Sequence, residues 1–249
     1  MPDLDIVIPV YNEGDNILNV LNALCRATST PFRVLICYDD ESDDTLEALK
    51  DFEDTRCEIV TVRNRGRGAH GAVVTGFGEG DAPAAIMWPA DDTYNAGIID
   101  TMYREYRNGC HVVGASRFIR GGCMVGAPWL KSLLVRSSAF TLYYLARLPA
   151  RDASNGLRLF SRRLLDRARI ESSAGFAYGI ELLVKCHRLD WKIAEVPAAW
   201  HERTSGRSRF KVIRWLPEYL RWFVYAFATT YLGRGPETVP GNEISRCPP

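Results

Sequence analysis

The chain has 249 residues, of which 47% are hydrophobic and 24% are charged, with 31 basic and 30 acidic side chains and a formal net charge of +1. This composition indicates a soluble globular protein with one full core, and the balanced charge gives no general electrostatic reason to expect a nucleic-acid partner. Seven scattered cysteines without a C-x-x-C pair argue against a disulfide framework and a structural zinc site, and favour a reducing, cytoplasmic setting. Because the N-terminus runs directly into a strand pattern, we also expect no secretion signal.

The first half of the chain alternates strand and helix patterns. Short β-branched runs with little polar alternation are typical of parallel strands covered on both faces. They occur at residues 4–10, 32–38, 57–62, 84–88 and 111–116, with helical patterns between them at 14–27, 43–53, 68–79 and 95–108. This alternation predicts right-handed βαβ units and an α/β fold with a Rossmann-like, mostly parallel sheet flanked by helices.

Beyond Arg120 the pattern changes to longer apolar helices and shorter strands. We expect helices at 127–148, 175–189 and 211–232, and strands at 156–160 and 191–197. Residues 1–210 are then one domain, residues 211–232 a C-terminal amphipathic helix, and residues 233–249, rich in Gly and Pro, a disordered tail.

Polar residues follow the first two predicted strands. "PVYNEGDN" (9–16) comes after the first strand, where Asn12 or Glu13 could simply cap the next helix. "YDDESDDT" (38–45) comes after the second and carries five carboxylates in eight residues. The repulsion among five adjacent negative charges costs more free energy than helix capping provides. This stretch therefore requires a cation or hydrogen-bond donors nearby.

The next two strand ends carry arginines and then a pair of aspartates. "RNRGRGAHGA" (63–72) places three arginines among glycines just before a helix, which is typical of an anion site. "IMWPADDTYN" (86–95) exposes Asp91 and Asp92 directly after a buried strand. An Asp-rich turn is one interpretation of this pair, but ligands of open α/β sheets bind beyond the carboxyl ends of the strands.

Acidic, basic and acidic segments at neighbouring strand ends suit a nucleotide diphosphate held through a divalent metal. Arginines and the metal would neutralise the phosphates, while carboxylates would hold the metal and contact the ribose or base. The residues alone therefore predict nucleotide and metal binding at one edge of the sheet.

Four motifs in a fixed order carry a family resemblance. "VIPVYNE", "YDDESDDT", "NRGRGAHGAVVTGF" and "MWPADDTYN" resemble the family-2 glycosyltransferases of GT-A fold, especially the polyprenyl-phosphate (dolichol-phosphate) sugar synthase branch. The likeness continues through "GASRFIRGG", "DASNGLRLFSRRLL", "GIELLVKCHRLDWKIAEVP" and "ERTSGRSRF", and so covers about residues 4–212. It implies inverting transfer of one sugar from a GDP- or UDP-sugar to a lipid phosphate, with Mg²⁺ or Mn²⁺.

The resemblance also implies which residues form the site. Asp91 and Asp92 are the candidate metal ligands, and together with Glu181 and Arg117 they are the candidate catalytic residues. Glu181 could act as a base, orient the acceptor, or pair structurally. The residues expected to bind the donor are Pro9, Tyr11, Glu13, Asp39, Asp40, Arg65, Gly66 and Asp91.

Two motifs depart from the family pattern. The Asp-x-Asp motif appears as Pro89-Ala90-Asp91, so its first carboxylate is missing and Asp92 is an extra neighbour. Proline cannot coordinate a metal, so binding here is either weaker, rebuilt around Asp91 and Asp92, or supplemented from the second strand end. The acidic motif is about one residue short, and the Gln-x-x-Arg-Trp motif of processive synthases is absent from the sequence, which makes chain elongation less expected.

Two loops rich in arginine are expected to bind the acceptor. Arg117 and Arg120 lie in one, and Arg203, Ser208 and Arg209 in the other. A solvated basic loop is the simpler interpretation of "RTSGRSRFK". We favour pairing with a lipid phosphate, because arginine offers a phosphate two parallel donors.

The last predicted helix, 211–232, bears on membrane association. Arg214, Glu218, Arg221 and Pro217 interrupt it, which argues against a simple spanning helix. Its tryptophans and tyrosines favour an interfacial helix, so the expected partner is the cytoplasmic membrane surface, bound peripherally. A core helix packed on the sheet remains the alternative.

Other functions remain open from the sequence. The protein could transfer sugar to a non-lipid hydroxyl acceptor, which requires a general base such as Glu181. It could also bind sugar nucleotides without catalysis, having lost the first aspartate of its motif. A nucleotidyltransferase would be expected to carry a basic, glycine-rich loop after the first strand, and "PVYNEGDN" contains no basic residue.

Overall fold

A computed structural model describes residues 2–54, 56–201 and 212–242. Its strands are β1 (Leu4–Pro9), β2 (Phe32–Tyr38), β3 (Glu58–Arg63), β4 (Ala84–Met87), β5 (Val112–Ser116), β6 (Cys123–Val125), β7 (Arg158–Ser161), β8 (Ile193–Pro197) and β9 (Ala199–His201). Its helices are α1 (Gly14–Ala27), α2 (Asp44–Ala48), α3 (Gly68–Glu79), α4 (Ile99–Arg107), α5 (Trp129–Phe140), α6 (Arg162–Arg167), α7 (Ala177–Arg188) and α8 (Val212–Tyr231).

Seven strands form the main sheet, in the order β3-β2-β1-β4-β7-β5-β8. β1 pairs in parallel with β2 and β4, and β5 in parallel with β8, while β7 runs antiparallel to both of its neighbours. The predicted mostly parallel sheet flanked by helices is therefore confirmed. Its central strands are mostly apolar and buried, as in β1, because helices cover both faces.

The core lies in two layers, one on each face of the sheet. One layer packs α3, α7 and α8 against the sheet and includes Phe77, Tyr178 and Trp222. The other packs α1 and α4 against the opposite face and includes Trp88 and Leu21. Burial of both faces holds the carboxyl ends of the strands at a common edge.

The predicted helix at 127–148 is shorter and changes type within its length. α5 ends at Phe140, and one π-helical turn, Thr141–Leu145, continues it. Two short strands that the sequence did not predict, β6 and β9, pair in parallel as a separate two-stranded sheet.

The C-terminal helix has two different faces. Trp222 and Ala226 are fully buried in the core. Leu216, Leu220 and Val224, spaced one turn apart, are 47%, 52% and 68% exposed. The helix is thus a core element along one side and an apolar surface along the other.

Part of the predicted disordered tail, residues 236–242, contacts α6 in the structure. Val239 is 3% exposed, and Arg167 donates hydrogen bonds to the carbonyls of Val239 and Pro236. Asn242 donates to the carbonyl of Leu165. These hydrogen bonds satisfy backbone carbonyl groups of the tail and of α6. Composition alone cannot predict them, because the partners lie far apart in the chain. Residues 243–249 lie outside the described part of the chain.

Candidate functional site

The four polar motifs of the first half meet at one edge of the sheet. In the parallel register Pro9 lies beside Cys37, Tyr38 beside Arg63, and Val7 beside Met87. The loops that leave β1, β2, β3 and β4 therefore emerge together, as the sequence predicted. Half-buried Pro9 ends β1, and Tyr11 follows it with 51% exposure.

The acidic stretch after β2 holds the loop after β1. Asp43 accepts hydrogen bonds from the backbone N–H groups of Asn12 (3.1 Å) and Thr45 (3.0 Å), and Asp44 accepts from that of Gly14 (2.9 Å). The Thr45 hydroxyl accepts from the backbone N–H of Glu13 at 3.0 Å. The sequence predicted that either a cation or hydrogen-bond donors must offset the repulsion between these carboxylates. In the structure, backbone N–H donors bind them.

Asp39 connects the acidic stretch to the arginine-rich loop. Its carboxylate accepts hydrogen bonds from the side-chain amide of Asn64 (2.5 Å) and from the backbone N–H of Gly68 (3.2 Å). The neighbouring exposed Asp40 accepts from the backbone and hydroxyl of Ser42, and these bonds lower the pKa of its carboxyl. Asp39 therefore shapes the loop before α3, whereas Asp40 closes its own turn.

Two glycines make the arginine-rich loop tight enough to bring its backbone close to a ligand. A Cβ atom on Gly66 would lie 2.9 Å from the Cα atom of Gly71, and one on Gly71 would lie equally close to Gly66. The Arg65 side chain is 78% exposed beside this loop and pairs with Glu79. The first turn of α3 thus starts from a compact loop bordered by an exposed guanidinium, an arrangement that can bind phosphate.

Asp91 and Asp92 follow β4 in different environments. Asp92 accepts hydrogen bonds from the backbone N–H groups of Tyr94 (2.9 Å) and Asn95 (3.0 Å) and from the Asn95 side-chain amide (2.6 Å). Burial raises the pKa of its carboxyl, although these donors partly oppose that effect. Asp91 is half-buried at the strand end. Asp92 is therefore an anchor of its own loop, which favours Asp91 as the ligand-binding member of the pair.

A metal at this edge would rely on its substrate for ligands. Within residues 2–54, 56–201 and 212–242, no group of three or more His, Cys, Asp or Glu side chains could hold a metal ion. Mg²⁺ commonly binds one or two carboxylates and completes its shell with substrate phosphates and water. Asp91, half-buried at the end of β4, fits the part of the single protein carboxylate in such a site.

Arg117 lies at the end of β5 and is committed to a buried ion pair. Its guanidinium donates to both oxygens of Asp152 at 2.7 and 2.8 Å, and also to the Ser154 hydroxyl at 2.7 Å. Burial opposes ionisation of Asp152, but the bonds from Arg117 outweigh it and keep the pKa of the carboxyl below its ordinary value. This geometry makes Arg117 a rigid support of the site's second half more than a mobile phosphate ligand.

An aromatic cleft adjoins Arg117. The guanidiniums of Arg117 and Arg136 both lie over the Phe118 ring, 5.3 and 5.2 Å from its centre. The cleft has a volume of about 190 Å³ and is lined by Phe118, Arg136, Ala139, Phe140, Tyr143, Tyr144 and Arg151. Arg120 is exposed nearby in sequence. The predicted acceptor residues Arg203, Ser208 and Arg209 lie outside the described residues.

Glu181 is buried away from solvent on α7. It accepts hydrogen bonds from the backbone N–H groups of Glu171 (2.7 Å) and Ser172 (2.9 Å), and it pairs with fully buried Lys185 at 2.7 Å. These bonds occupy both carboxylate oxygens. The geometry favours the structural alternative over a general base.

Three polar residues of this region were missed by sequence reasoning. Asp152 and Asn95 are 2% and 6% exposed, and His70 lies with its Nε2 3.0 Å from the Ser172 hydroxyl. Each one's main partner is far away in the chain, so local patterns could not assign it. In the sequence, the one sign of their importance is that each is a polar residue within one of the family motifs given above.

A family model assigns the chain to a known group of proteins. Residues 5–169 match the model described as "Glycosyl transferase family 2". The chain belongs to this family.

Two curated relatives share about a quarter of their residues with this family member. The chain is 24% identical over 222 residues to dolichol-phosphate mannosyltransferase of Pyrococcus furiosus, covering 88% of this chain and 62% of that protein. It is 24% identical over 228 residues to polyprenol monophosphomannose synthase of Mycolicibacterium smegmatis, covering 84% and 85%. The chain thus spans less than two thirds of the length of the Pyrococcus protein. The resemblance to this branch is confirmed.

Solved structures match the fold. Glucosyl-3-phosphoglycerate synthase of Mycobacterium tuberculosis, crystallised with Mn²⁺, UDP-glucose and phosphoglyceric acid, aligns with a TM-score of 0.66 at 14% identity, covering 91% of this chain and 80% of the other. The same enzyme with Mg²⁺ and UDP aligns with a TM-score of 0.64. This likeness confirms the GT-A fold. Among the described residues, helices fall short of the length and apolarity needed to cross a membrane.

Proposed function

We propose that this family-2 glycosyltransferase moves a single sugar, with inversion, from a GDP- or UDP-sugar to a polyprenyl-phosphate acceptor at a membrane surface. The observation that carries the proposal is that a compact glycine- and arginine-rich loop, the half-buried carboxylate of Asp91 and an arginine-lined aromatic cleft all follow strands whose carboxyl ends lie at one edge of the sheet. The names of the two curated relatives support the same acceptor class.

The donor half of the site is assigned to the loops after β1 to β4. Arg65 and the loop around Gly66 would bind the diphosphate, while Tyr11, Glu13, Asp39 and Asp40 border the space for the nucleoside. Asp39 and the neighbouring carboxylates hold these loops in register, as their bonds to backbone N–H groups indicate. The loops are thereby preorganised before the donor binds.

Metal dependence is part of the proposal, with Asp91 as the ligand from the protein. A bound Mg²⁺ or Mn²⁺ would neutralise charge on the departing diphosphate. Asp91 would position the ion against the phosphates, and Arg65 would add a second positive group. Asp92 would act indirectly by holding the loop that carries Asp91.

The acceptor half is assigned to the cleft beside Arg117. Phosphate would meet arginines at this end, including Arg120 and, from outside the described residues, Arg203 and Arg209. The apolar lipid chain would leave along the exposed side chains of Phe140 and Tyr144, which are 58% and 59% exposed. Aromatic surface next to positive charge suits an anionic headgroup with an apolar tail.

The ionisation of the acceptor simplifies the chemistry. A phosphate oxygen is already charged at neutral pH and attacks the anomeric carbon without a strong general base. A hydroxyl acceptor needs such a base, and the candidate Glu181 is held in bonds to Lys185 and two backbone N–H groups. This difference favours the phosphate acceptor.

Peripheral attachment to the cytoplasmic face of the membrane completes the proposal. The exposed stripe of Leu216, Leu220 and Val224 on α8 would lie in the headgroup region. Trp222 on the opposite side keeps the helix attached to the catalytic domain. The lipid acceptor and the aromatic cleft would then meet at the bilayer surface.

A two-phase assay tests the proposed function. Purified protein is incubated with Mn²⁺, a short polyprenyl phosphate in detergent and either radiolabelled GDP-mannose or UDP-glucose. Label should move into the organic phase with one of the donors, and Asp91→Ala should abolish this movement. Binding of nucleotide without any label transfer or release would instead support a non-catalytic binding protein.

A further inference from the structure

The strand β9 has an unusual partner on one of its sides. On one side it pairs with β6, where the backbone N–H of Cys123 donates to the carbonyl of Ala198 at 3.1 Å. On the other, the partner of Ala199 is a side chain. Asn95 donates through Nδ2 to the Ala199 carbonyl (2.8 Å) and accepts through Oδ1 from the Ala199 N–H (2.9 Å).

Asn95 reproduces the hydrogen bonds of a neighbouring strand at this point. A carboxamide carries the same donor and acceptor as a peptide group, so it can satisfy both backbone groups of one residue. Asn95 is 6% exposed, which shields the two bonds from water. The side chain is therefore a specific contact between segments 104 residues apart.

Asp92 fixes the orientation of this carboxamide. Its carboxylate accepts the second Nδ2 hydrogen of Asn95 at 2.6 Å. Rotation of the amide by 180° would place its oxygen against the carboxylate and its nitrogen against the Ala199 N–H, losing all three bonds. The Asp92–Asn95 pair thus has one satisfactory arrangement.

The pair connects the two halves of the proposed site. Asp91, the proposed metal ligand, directly precedes Asp92, and Ala199 begins the short strand that precedes Arg203 and Arg209 in the sequence. A shift of about 1 Å between reacting groups can reduce a rate by about a hundredfold. The link therefore lies where it can set the distance between donor and acceptor.

We propose that Asn95 is a positioning residue that fastens the acceptor-loop strand β9 to the donor loop of Asp91, with Asp92 as its anchor. The inference rests on the proposed function. It assigns Asp92 a task distinct from metal binding and gives Asn95 a role in the reaction without contact to either substrate.

Replacement of Asn95 separates the two halves of the site. In Asn95→Ala the backbone N–H groups of residues 94 and 95 still bind Asp92, so the donor loop keeps its shape. Binding of GDP or UDP with Mn²⁺ should therefore stay within about twofold of wild type. Transfer to polyprenyl phosphate should fall by about tenfold or more, through a higher acceptor KM, a lower kcat, or both.

Two further variants act as controls. Asn108→Ala removes an exposed carboxamide just beyond α4 and should leave both binding and transfer unchanged. Asn95→Asp keeps the side-chain shape but replaces its donor group with an acceptor facing Asp92 and the Ala199 carbonyl, so it should be at least as defective as Asn95→Ala. Wild-type acceptor kinetics in either Asn95 variant would overturn the inference.

Hydrogen exchange gives a readout that does not depend on sugar transfer. The amide of Ala199 should exchange faster in Asn95→Ala than in wild type, while peptides from β1 and β2 exchange as before. Unchanged protection of Ala199 would overturn the inference even in an active enzyme. If wild type transfers no sugar, the proposed function fails, and the exchange result still decides whether Asn95 holds β9.

Discussion

Asp92 uses both of its carboxylate oxygens to bind Tyr94 and Asn95, while Asp91 lies half-buried at the end of β4. The bonds of Asp92 support the proposal that the two neighbours have separate tasks, with Asp92 holding its loop and Asp91 binding the metal. The sequence predicted both aspartates as metal ligands, since a motif reports residue types and not the bonds that they make. The acidic residues after β2 behave in the same way, because Asp43 and Asp44 bind backbone groups more than 29 residues away.

Replacing each aspartate by alanine should affect stability differently. Asp92→Ala should lower the free energy of unfolding by about 2 kcal/mol, because buried donors lose a charged acceptor. Asp91→Ala should change it by less than about 1 kcal/mol and abolish transfer. Denaturant unfolding of both variants measures the difference. Equal stability of the two, with activity retained in Asp91→Ala, would contradict these tasks.

The pH dependence of stability tests the placement of His70. Burial lowers the pKa of His70 from its ordinary value of 6.5, and nearby Glu181 only partly offsets this effect. As pH falls below about 6.5 the unfolded chain takes up a proton that the folded state resists, so the folded state loses stability. The unfolding temperature of His70→Gln should therefore fall less steeply than that of wild type between pH 7.5 and 5. Parallel curves would mean that the imidazole is equally easy to protonate in both states.

At the scale of elements, the sequence predicted the five strands of the first half and the helices between them, because apolar periodicity reports local burial. It missed β6 and β9, since three-residue strands leave no period to detect. It also left α8 undecided between core and membrane surface. The structure shows why both interpretations had support: the helix buries Trp222 and exposes Val224.

The two faces of α8 should respond differently to substitution. Trp222→Ala should lower the free energy of unfolding by about 3–5 kcal/mol, because it removes a fully buried indole from the core. Val224→Ser should leave thermal unfolding nearly unchanged and weaken binding to anionic liposomes. Liposome sedimentation and thermal unfolding of both variants provide the measurements. A Val224→Ser protein that sediments like wild type would remove α8 from the proposed membrane surface.

The buried ion pair of Glu181 and Lys185 on α7 should stabilise the fold without taking part in catalysis. Glu181→Gln removes the fully buried negative partner of Lys185 and leaves it the partly exposed Glu171, so the free energy of unfolding should fall by about 3 kcal/mol. Below the unfolding temperature, kcat should change little and keep the pH profile of wild type. A variant of normal stability whose kcat is strongly reduced would instead restore Glu181 as a general base.

For the whole molecule, the order of the motifs was enough to predict the GT-A fold and the common edge of the sheet at which the polar motifs lie. It could not predict the contacts between distant segments that support the candidate site. Arg117 with Asp152, and Asn95 with Ala199, pair residues 35 and 104 positions apart. Such pairs depend on how strands of the finished sheet lie beside one another. The site is therefore a property of the assembled fold, built on loops that the sequence had identified.

Transfer of one sugar to a lipid phosphate would be visible directly in the mass of the product. Polyprenyl phosphate and phosphoglyceric acid are offered together at equal concentration with GDP-mannose or UDP-glucose and Mn²⁺, and the mixture is analysed by mass spectrometry. We expect a polyprenyl phosphate heavier by a single hexose, with the phosphoglyceric acid unmodified. Hexose found only on phosphoglyceric acid, or several hexoses added to one lipid, would contradict the proposed function.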